Sequence, residues 1–520
     1  MSSQDEQIQD TGQGELQNLT ERRALLLLLL TCGLIFFPRL GGRDLWNPDE
    51  PRFALIAREM LRSGDYLVPR RNGNIYLKKP PMLFWAMAFF GKLCDGMNET
   101  AARFPSALAA TGMVLLTFYF GRAHLGLRAG FASALVCATN YLVYWQGRFA
   151  QTDMLFSFFV VAAIFAVCHA YMKPKLAWPL AIAGYTAAGF AALTKGPLAL
   201  VLLFLAIVPF AAHRQFRRKE FPSVRVLLPH ITGVILCLAI ALPWYSKTSQ
   251  QIGTNVASSN LVRENLVRFF KGFDHVNPVF HYLLMQPIEF FPWSLFLPAG
   301  LILLWQKRKS EGDNDWVVRF LLFWLGMSFL FFSASASKQG KYLLPLYPGF
   351  ALGIGWLLEE RLFRKKPESP GLYLPFLLTN LLLIVAAVTG TVVFKKGYES
   401  YSDLLPIFLP AVGFFFIGGL SGIIFLVRKK AVHFSSLAVT MLVGCLALSI
   451  SFPSVNKYKS ARPLCETYRA QADREDRLVY YGAGTPNSYA YYARRDTAET
   501  HGRRGMGNDG ERVCLRWDRL

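Results

Sequence analysis

The sequence predicts an all-α polytopic membrane protein with about thirteen transmembrane helices, closed by a small C-terminal soluble α/β domain. Three observations carry this reading. Of 520 residues, 53% are hydrophobic and only 17% charged, and the apolar ones fall in blocks near twenty residues, ~30 Å as helix and the thickness of a hydrocarbon core. The formal charge of +22 is concentrated between those blocks, where the positive-inside rule puts basic residues, so it argues for a membrane and against a nucleic-acid partner. After Pro453 the composition turns polar and soluble-looking.

Taken in order, residues 1–20 are polar and Gln-rich and are expected to be a disordered cytoplasmic N-terminus. Arg22 and Arg23 then precede the apolar run Ala24–Pro38. No small-residue cleavage site follows, so this is an uncleaved first span rather than a signal peptide. Residues 41–100 form a first loop, on the outer face. Within it Pro81–Leu93 is apolar but gives only ~20 Å of helix, too short to span, and is expected to lie along the membrane surface. Spans follow at about Ala101–Gly121, Ala129–Trp145, Met154–Met172, Leu176–Leu193, Gly196–Ala212 and Val226–Tyr245. A second large outer loop, 247–280, precedes His281–Trp305, Val317–Ala336, Tyr342–Leu358, Leu372–Phe394, Leu404–Val427 and Val432–Pro453.

Loop charge selects this arrangement. The loops assigned to the cytoplasm (GRAHLGLR, KPK, HRQFRRKEFPSVR, QKRKSEGDND, EERLFRKKPESP, RKKA) hold nineteen Lys and Arg. Four short outer loops hold six. Counting Pro81–Leu93 as a span would reverse this asymmetry. Residues 21–454 thus form the membrane domain, and 455–520 a small domain on the outer face, with a helix near Ser460–Ala472 and a strand near Arg477–Tyr481. Five of the eight cysteines lie in apolar runs. No CxxC or Cys/His cluster signals zinc, and Cys465 and Cys514 could pair in an oxidising compartment.

This topology gathers the unusual polar residues on one face. Asp49-Glu50 opens a helical pattern, and Asp153 follows Gln151-Thr152 at the start of a span. Both positions suit helix starts; both also suit a carboxylate that takes a proton at a membrane face. Lys78-Lys79-Pro80-Pro81 reads as a snorkelling pair or as a ligand for a lipid phosphate. Lys195 sits in a tight turn between apolar runs, where an ionisable group is costly and usually functional. Arg263, Arg268 and Lys271 share the second outer loop with several aromatics. On such a loop a phospholipid or lipid-linked phosphate is a better partner than nucleic acid.

The motifs WNPDEPRFALIAREML, GDYLVPRRNGNIYLKKPPMLFW, ARFPSALAA, RFAQTD, LTKGP, NLVRF, FFPWSLFLP and SKQGKYLLPLYP occur in this order between about Leu40 and Pro348. Together they resemble the bacterial polytopic glycosyltransferases related to the protein O-mannosyltransferases, among them the 4-amino-4-deoxy-L-arabinose transferases of lipid A. The resemblance implies a type C glycosyltransferase fold in the bacterial inner membrane, with its active site facing the periplasm. It implies an undecaprenyl-phosphate sugar donor and a glycolipid acceptor, lipid A first, with a protein hydroxyl as the alternative. By the same resemblance Asp49 is the catalytic carboxylate, Glu50 and Arg52 complete its motif, and Asp153 is the second acidic residue. Lys79 is the ligand of the donor phosphate, helped by Tyr76, Lys195, Arg268 and Tyr342.

Two departures bear on this. Relatives carry Glu where this chain has Lys78, and many carry His where it has Asn265; if those positions hold a metal in relatives, this chain is expected to lack it and to need no cofactor. A transporter or lipid flippase is the rival class. It would bury charges at mid-membrane in matched broken helices, whereas this chain concentrates its polar groups in outer loops.

Overall fold

The computed structural model describes residues 19–219, 223–253, 255, 258–272, 274–308, 315–363, 370–397, 399–428, 432–471, 478–481, 487–494, 497–500 and 514–516. The expected disorder of residues 1–18, the side chain of Arg263 and the pairing of Cys465 with Cys514 lie outside them.

The molecule is a helical membrane protein. Among the described residues nine helices are long and apolar enough to cross a membrane, or ten if one bent pair counts as a single span. The other expected spans are shorter helices: Glu21–Phe36 with 16 residues, Leu127–Ala138 with 12 and Tyr347–Leu358 with 12. Met82–Leu93 also has 12 residues, ~18 Å, well under a bilayer's thickness. The long helices Val224–Ile252, Leu372–Lys396 and Tyr401–Val427 are less than a third buried over their most apolar stretches, and present that surface to lipid.

Three runs that hydropathy presents as continuous are broken. The expected span Ala129–Trp145 stops at Ala138 and restarts at Tyr141. Asn140 causes this: its Nδ2 donates to the Cys137 carbonyl at 2.7 Å, and its Oδ1 accepts from the Val143 amide at 3.0 Å, capping the next helix. The expected span His281–Trp305 is the bent pair His281–Glu289 and Trp293–Lys307, turned through 119°. Pro292 has no N–H to carry a helix across the break. The run Tyr342–Leu358 begins as 3₁₀ turns, Gly340–Leu346, before the α-helix from Tyr347, with Pro345 and Pro348 removing donors.

Helices meet closely at small residues. A Cβ on Gly130 would lie 2.4 Å from the Arg122 amide nitrogen, and one on Gly355 would lie 2.6 Å from that of Ser133. Such approaches replace hydrophobic driving force, which is weak between helices in lipid, with backbone-to-backbone packing.

The C-terminal elements are the helices Arg462–Gln471 and Asn487–Ala493 and a parallel sheet in the order Thr497–Thr500, Leu478–Tyr481, Cys514–Arg516. The helices dock on the first loop. Arg462 pairs with Asp44 at 2.9 Å and Glu99 at 2.7 Å, Asn47 Nδ2 donates to Ser488 Oγ at 2.7 Å, and Arg58 Nη2 donates to the Ala490 carbonyl at 3.0 Å. The second outer loop is laced to residues 335–338 through Ala336 N to Phe269 O at 2.8 Å, Lys338 N to His275 O at 2.9 Å and Asn277 Nδ2 to Lys338 O at 3.1 Å.

Candidate active site

The site begins with the helix Asp49–Ser63, whose first two residues are acidic. Their environments differ. Glu50 is fully buried and accepts from Arg103 Nε at 2.7 Å, Arg103 Nη2 at 3.0 Å, Arg43 Nη2 at 3.1 Å, and the amides of Trp46 at 3.1 Å and Ala150 at 3.0 Å. Burial alone would raise its pKa, but the Arg103 and Arg43 guanidiniums reverse this and hold it at about 2. Arg103 also donates to the carbonyls of Leu40, Arg43 and Asp44. The Glu50–Arg103 pair therefore pins residues 40–50 as a unit.

Asp49, one position earlier, faces a cavity of about 270 Å³ that Glu50 does not line. Its carboxylate pairs with Arg52, accepts from Gln151 Nε2 at 2.9 Å and lies 3.8 Å from Lys341 Nζ. Asp153 lines the same cavity; its carboxylate is 2.6 Å from Lys195 Nζ and 3.7 Å from Lys341 Nζ. Lys341 also donates to Gln151 Oε1 at 3.3 Å. Lys341 and Gln151 thus bridge the two carboxylates.

These groups come from four separate elements. Asp49 opens a helix, and Gln151 and Asp153 stand at the start of Thr152–Met172. Lys195 closes Ala177–Lys195, and Lys341 lies in the 3₁₀ turns. Asp153 caps nothing with its side chain; its partners are lysines across the cavity.

Lys79 is half-buried and has no hydrogen-bond or ion-pair partner among the described residues. Burial, then the charges of Lys195 and Arg268, lower its pKa to about 8. Lys78, Lys79, Lys195, Glu264, Arg268 and Tyr342 line both this cavity and an adjoining one of about 360 Å³. The walls of the second are apolar: Pro80, Pro197, Leu198, Val201, Phe269, Phe270, Phe331 and Phe332. A row of cations therefore stands where a polar hollow passes into a greasy one. Arg268 is already engaged, with Nε 3.1 Å from Asp274 Oδ1 and Nη1 3.5 Å from Glu264. The Tyr342 ring lies 5.2 Å from Lys195 Nζ, and Tyr76 is nearly buried beneath the Arg52 guanidinium, 6.0 Å from its ring.

Eight of the nine residues expected at the site line one or both cavities: Asp49, Arg52, Tyr76, Lys79, Asp153, Lys195, Arg268 and Tyr342. Glu50 lies behind them. Gln151, Glu264 and Asp274 were missed, and Lys341 was placed on the outer face without a role. Lys341 had a signal, since it adjoins Tyr342 in SKQGKY, but nothing in the spacing separates it from Lys338, whose ammonium is buried on the Asn277 carbonyl at 2.8 Å. Lys78 and Asn265 both line the apolar cavity. Among the described residues no three His, Cys, Asp or Glu side chains are grouped to hold a metal ion.

Residues 78–246 match the family described as dolichyl-phosphate-mannose-protein mannosyltransferase. The undecaprenyl phosphate-alpha-4-amino-4-deoxy-L-arabinose arabinosyl transferase 1 of Pseudomonas fluorescens Pf-5 is 33% identical over 352 residues, 66% of this chain and 61% of the relative. The transferase of the same name, without the numeral, from Pseudomonas paraeruginosa PA7 is 30% identical over 418 residues, 78% of this chain and 72% of the relative. Against the first relatives it matches, the chain spans about three fifths of their length, 61% and 56%. In three dimensions the chain superposes on crystalline ArnT from Cupriavidus metallidurans bound to undecaprenyl phosphate, with a TM-score of 0.78 and 22% identity over 92% of this chain and 86% of that one. The two chains share a fold.

Proposed function

Because the chain belongs to the undecaprenyl phosphate-4-amino-4-deoxy-L-arabinose arabinosyl transferase family, we propose that it transfers a sugar from an undecaprenyl-phosphate carrier to an acceptor outside the cytoplasm. Lipid A or another envelope glycolipid is the acceptor we favour. The setting is the bacterial inner membrane, crossed about thirteen times, with the site open to the periplasm. One observation carries the reading: a hollow holding Asp49 and Asp153 adjoins an apolar hollow across a shared boundary of Lys78, Lys79, Lys195, Arg268 and Glu264. That is the order of parts in a polyprenyl-phosphate sugar, with the sugar in the first, phosphate at the boundary and isoprene units in the second.

Asp49 takes the proton of the acceptor oxygen as that oxygen bonds to the anomeric carbon. The bond from that carbon to the phosphate oxygen breaks, and its electron pair stays on the phosphate. Lys79 meets the growing charge, with Lys195 and Arg268 beside it. Asp153, tied to Lys195 and Lys341, holds those lysines in place. Arg52 and Tyr76 wall the sugar side. No divalent metal is needed, since Lys78 and Asn265 supply neither an acidic nor an imidazole ligand.

A protein hydroxyl is the second reading for the acceptor, favoured by the match of residues 78–246 to the protein mannosyltransferases. Mass spectrometry of lipid A, other glycolipids and envelope proteins, with and without the gene, separates the two. Asp49→Asn should abolish the mass shift, with turnover down ~10²–10⁴-fold, while chelator leaves the wild-type rate unchanged. Near-normal turnover by Asp49→Asn, or loss of rate in chelator with recovery on adding Zn²⁺ or Mg²⁺, would overturn the respective claim.

A further inference from the structure

At the other end of the helices that carry the apolar cavity lies a separate hollow of about 390 Å³. The same two helices reach both. Helix Leu198–Arg218 meets the apolar cavity at Leu198 and Val201 and the distant hollow at His213 and Arg217. Helix Asp315–Ala334 meets the first at Phe331 and Phe332 and the second at Arg319 and Phe323. Roughly 18 Å of helix separates Val201 from His213. The third wall is the end of helix Leu297–Lys307, with Trp305 and Arg308.

The lining has a definite chemistry. Three guanidiniums, Arg217, Arg308 and Arg319, line it. Arg308 is held flat over Trp305, 3.7 Å from its ring, and donates to the Trp305 carbonyl; Arg319 Nε donates to the Arg308 carbonyl at 3.4 Å. His213 packs beside Phe323 with ring centroids 5.3 Å apart. Trp305 is exposed on the rim, and aromatic rings of this kind favour the headgroup level.

The positive-inside rule explains basic residues in aqueous loops. It does not explain why Arg308 and Arg319 are half-buried around one hollow, over an apolar floor of Leu322 and Phe323. Planar guanidiniums match phosphate oxygens two at a time, and basic pockets between transmembrane helices suit lipid headgroups. The volume exceeds that of a bare phosphate and leaves room for a glycerol. We propose that this hollow binds a phosphate-bearing headgroup, supplied by an anionic glycerophospholipid of the surrounding leaflet. The arginines hold the phosphate, and the acyl chains run over Phe323 and Trp305. The site is independent of the transfer reaction and stands whether or not that reading holds.

The test uses the full-length protein in nanodiscs of phosphatidylcholine doped with phosphatidylglycerol. Native mass spectrometry then counts the lipids retained after extraction. Wild type should keep phosphatidylglycerol in preference to phosphatidylcholine. R308Q/R319Q should keep roughly tenfold less or lower still, since a charge-assisted hydrogen bond to phosphate is worth about that factor. R217Q, at an exposed position that cannot disturb packing, should show a smaller loss in the same direction, which separates a lost site from a misfolded variant. If no lipid is retained but millimolar inorganic phosphate raises the melting temperature of wild type and not of R308Q/R319Q, the phosphate recognition stands and its source is soluble. Equal retention of both lipids with no phosphate effect, or equal behaviour of wild type and both variants, overturns the proposal.

Discussion

Asp49 and Glu50 are neighbours of the same chemical type, and the sequence offers nothing to sort them. Burial sorts them: Glu50 is enclosed by Arg43 and Arg103, while Asp49 faces the cavity. Opposite outcomes follow from removing each charge. Glu50→Gln leaves two guanidiniums buried without their partner and should cost about 3–5 kcal/mol of stability, read by thermal unfolding in detergent; Asp49→Asn should melt near wild type. The Glu50 carboxyl is depressed to about 2, so its contribution is full above the ordinary carboxylate range and is lost as pH falls toward 2. An unchanged melting temperature for Glu50→Gln would return Glu50 to the reacting groups. Lys79 titrates in the opposite sense. Its value is lowered to about 8, so the cation that the proposed reaction sets against the phosphate is present below that pH and lost above it. The maximal rate should fall as pH rises through about 8, and Lys79→Arg, whose guanidinium stays protonated, should remove that limb. Below that pH Lys79→Ala should lower the maximal rate ~10²-fold or more, with Lys78→Ala milder. Full recovery of Lys79→Ala at saturating donor would reduce Lys79 to a binding residue.

Elements were legible where hydropathy alone decides and illegible where a single polar or cyclic residue breaks a run. The first span, the short helix after Pro81 and the long helices follow from block length. The breaks at Asn140 and Pro292 do not, because Asn140 is read as one polar residue in an apolar run until its two capping bonds are seen. The site was legible in part for the same reason. Loop charge brought Asp49, Lys79, Asp153, Lys195 and Lys341 to one face, but the contacts of Lys341 depend on 3₁₀ turns that an apolar run conceals. Close helix packing was also invisible, since a glycine in a span has several uses. At Gly130 the neighbour is backbone on the preceding helix, which cannot swing aside as a side chain can. Gly130→Ala should therefore cost about 1–3 kcal/mol from overpacking, whereas Gly33→Ala, with nothing within 4 Å of the added carbon, should be silent. Melting curves of the two variants in one detergent test this; coincident curves would mean that the helices separate freely.

For the whole molecule, loop charge predicted that the first loop and the C-terminus share a face, and the contacts of Asp44, Asn47 and Arg58 with residues 462–490 place those two regions together. Reporter fusions after Gly73 and after Leu520 should both report export; a cytoplasmic signal from either would refute the periplasmic assignment. The Arg462–Asp44 contact joins residues 418 positions apart. On a ribosome adding ~5–20 residues per second, the first loop waits roughly 20–80 s for the segment that braces it. During that interval the chain is threaded into the bilayer with Asp44, Asn47 and Arg58 lacking those partners. A chain made only as far as its last long helix therefore holds the first loop without the contacts of Arg462, Ser488 and Ala490.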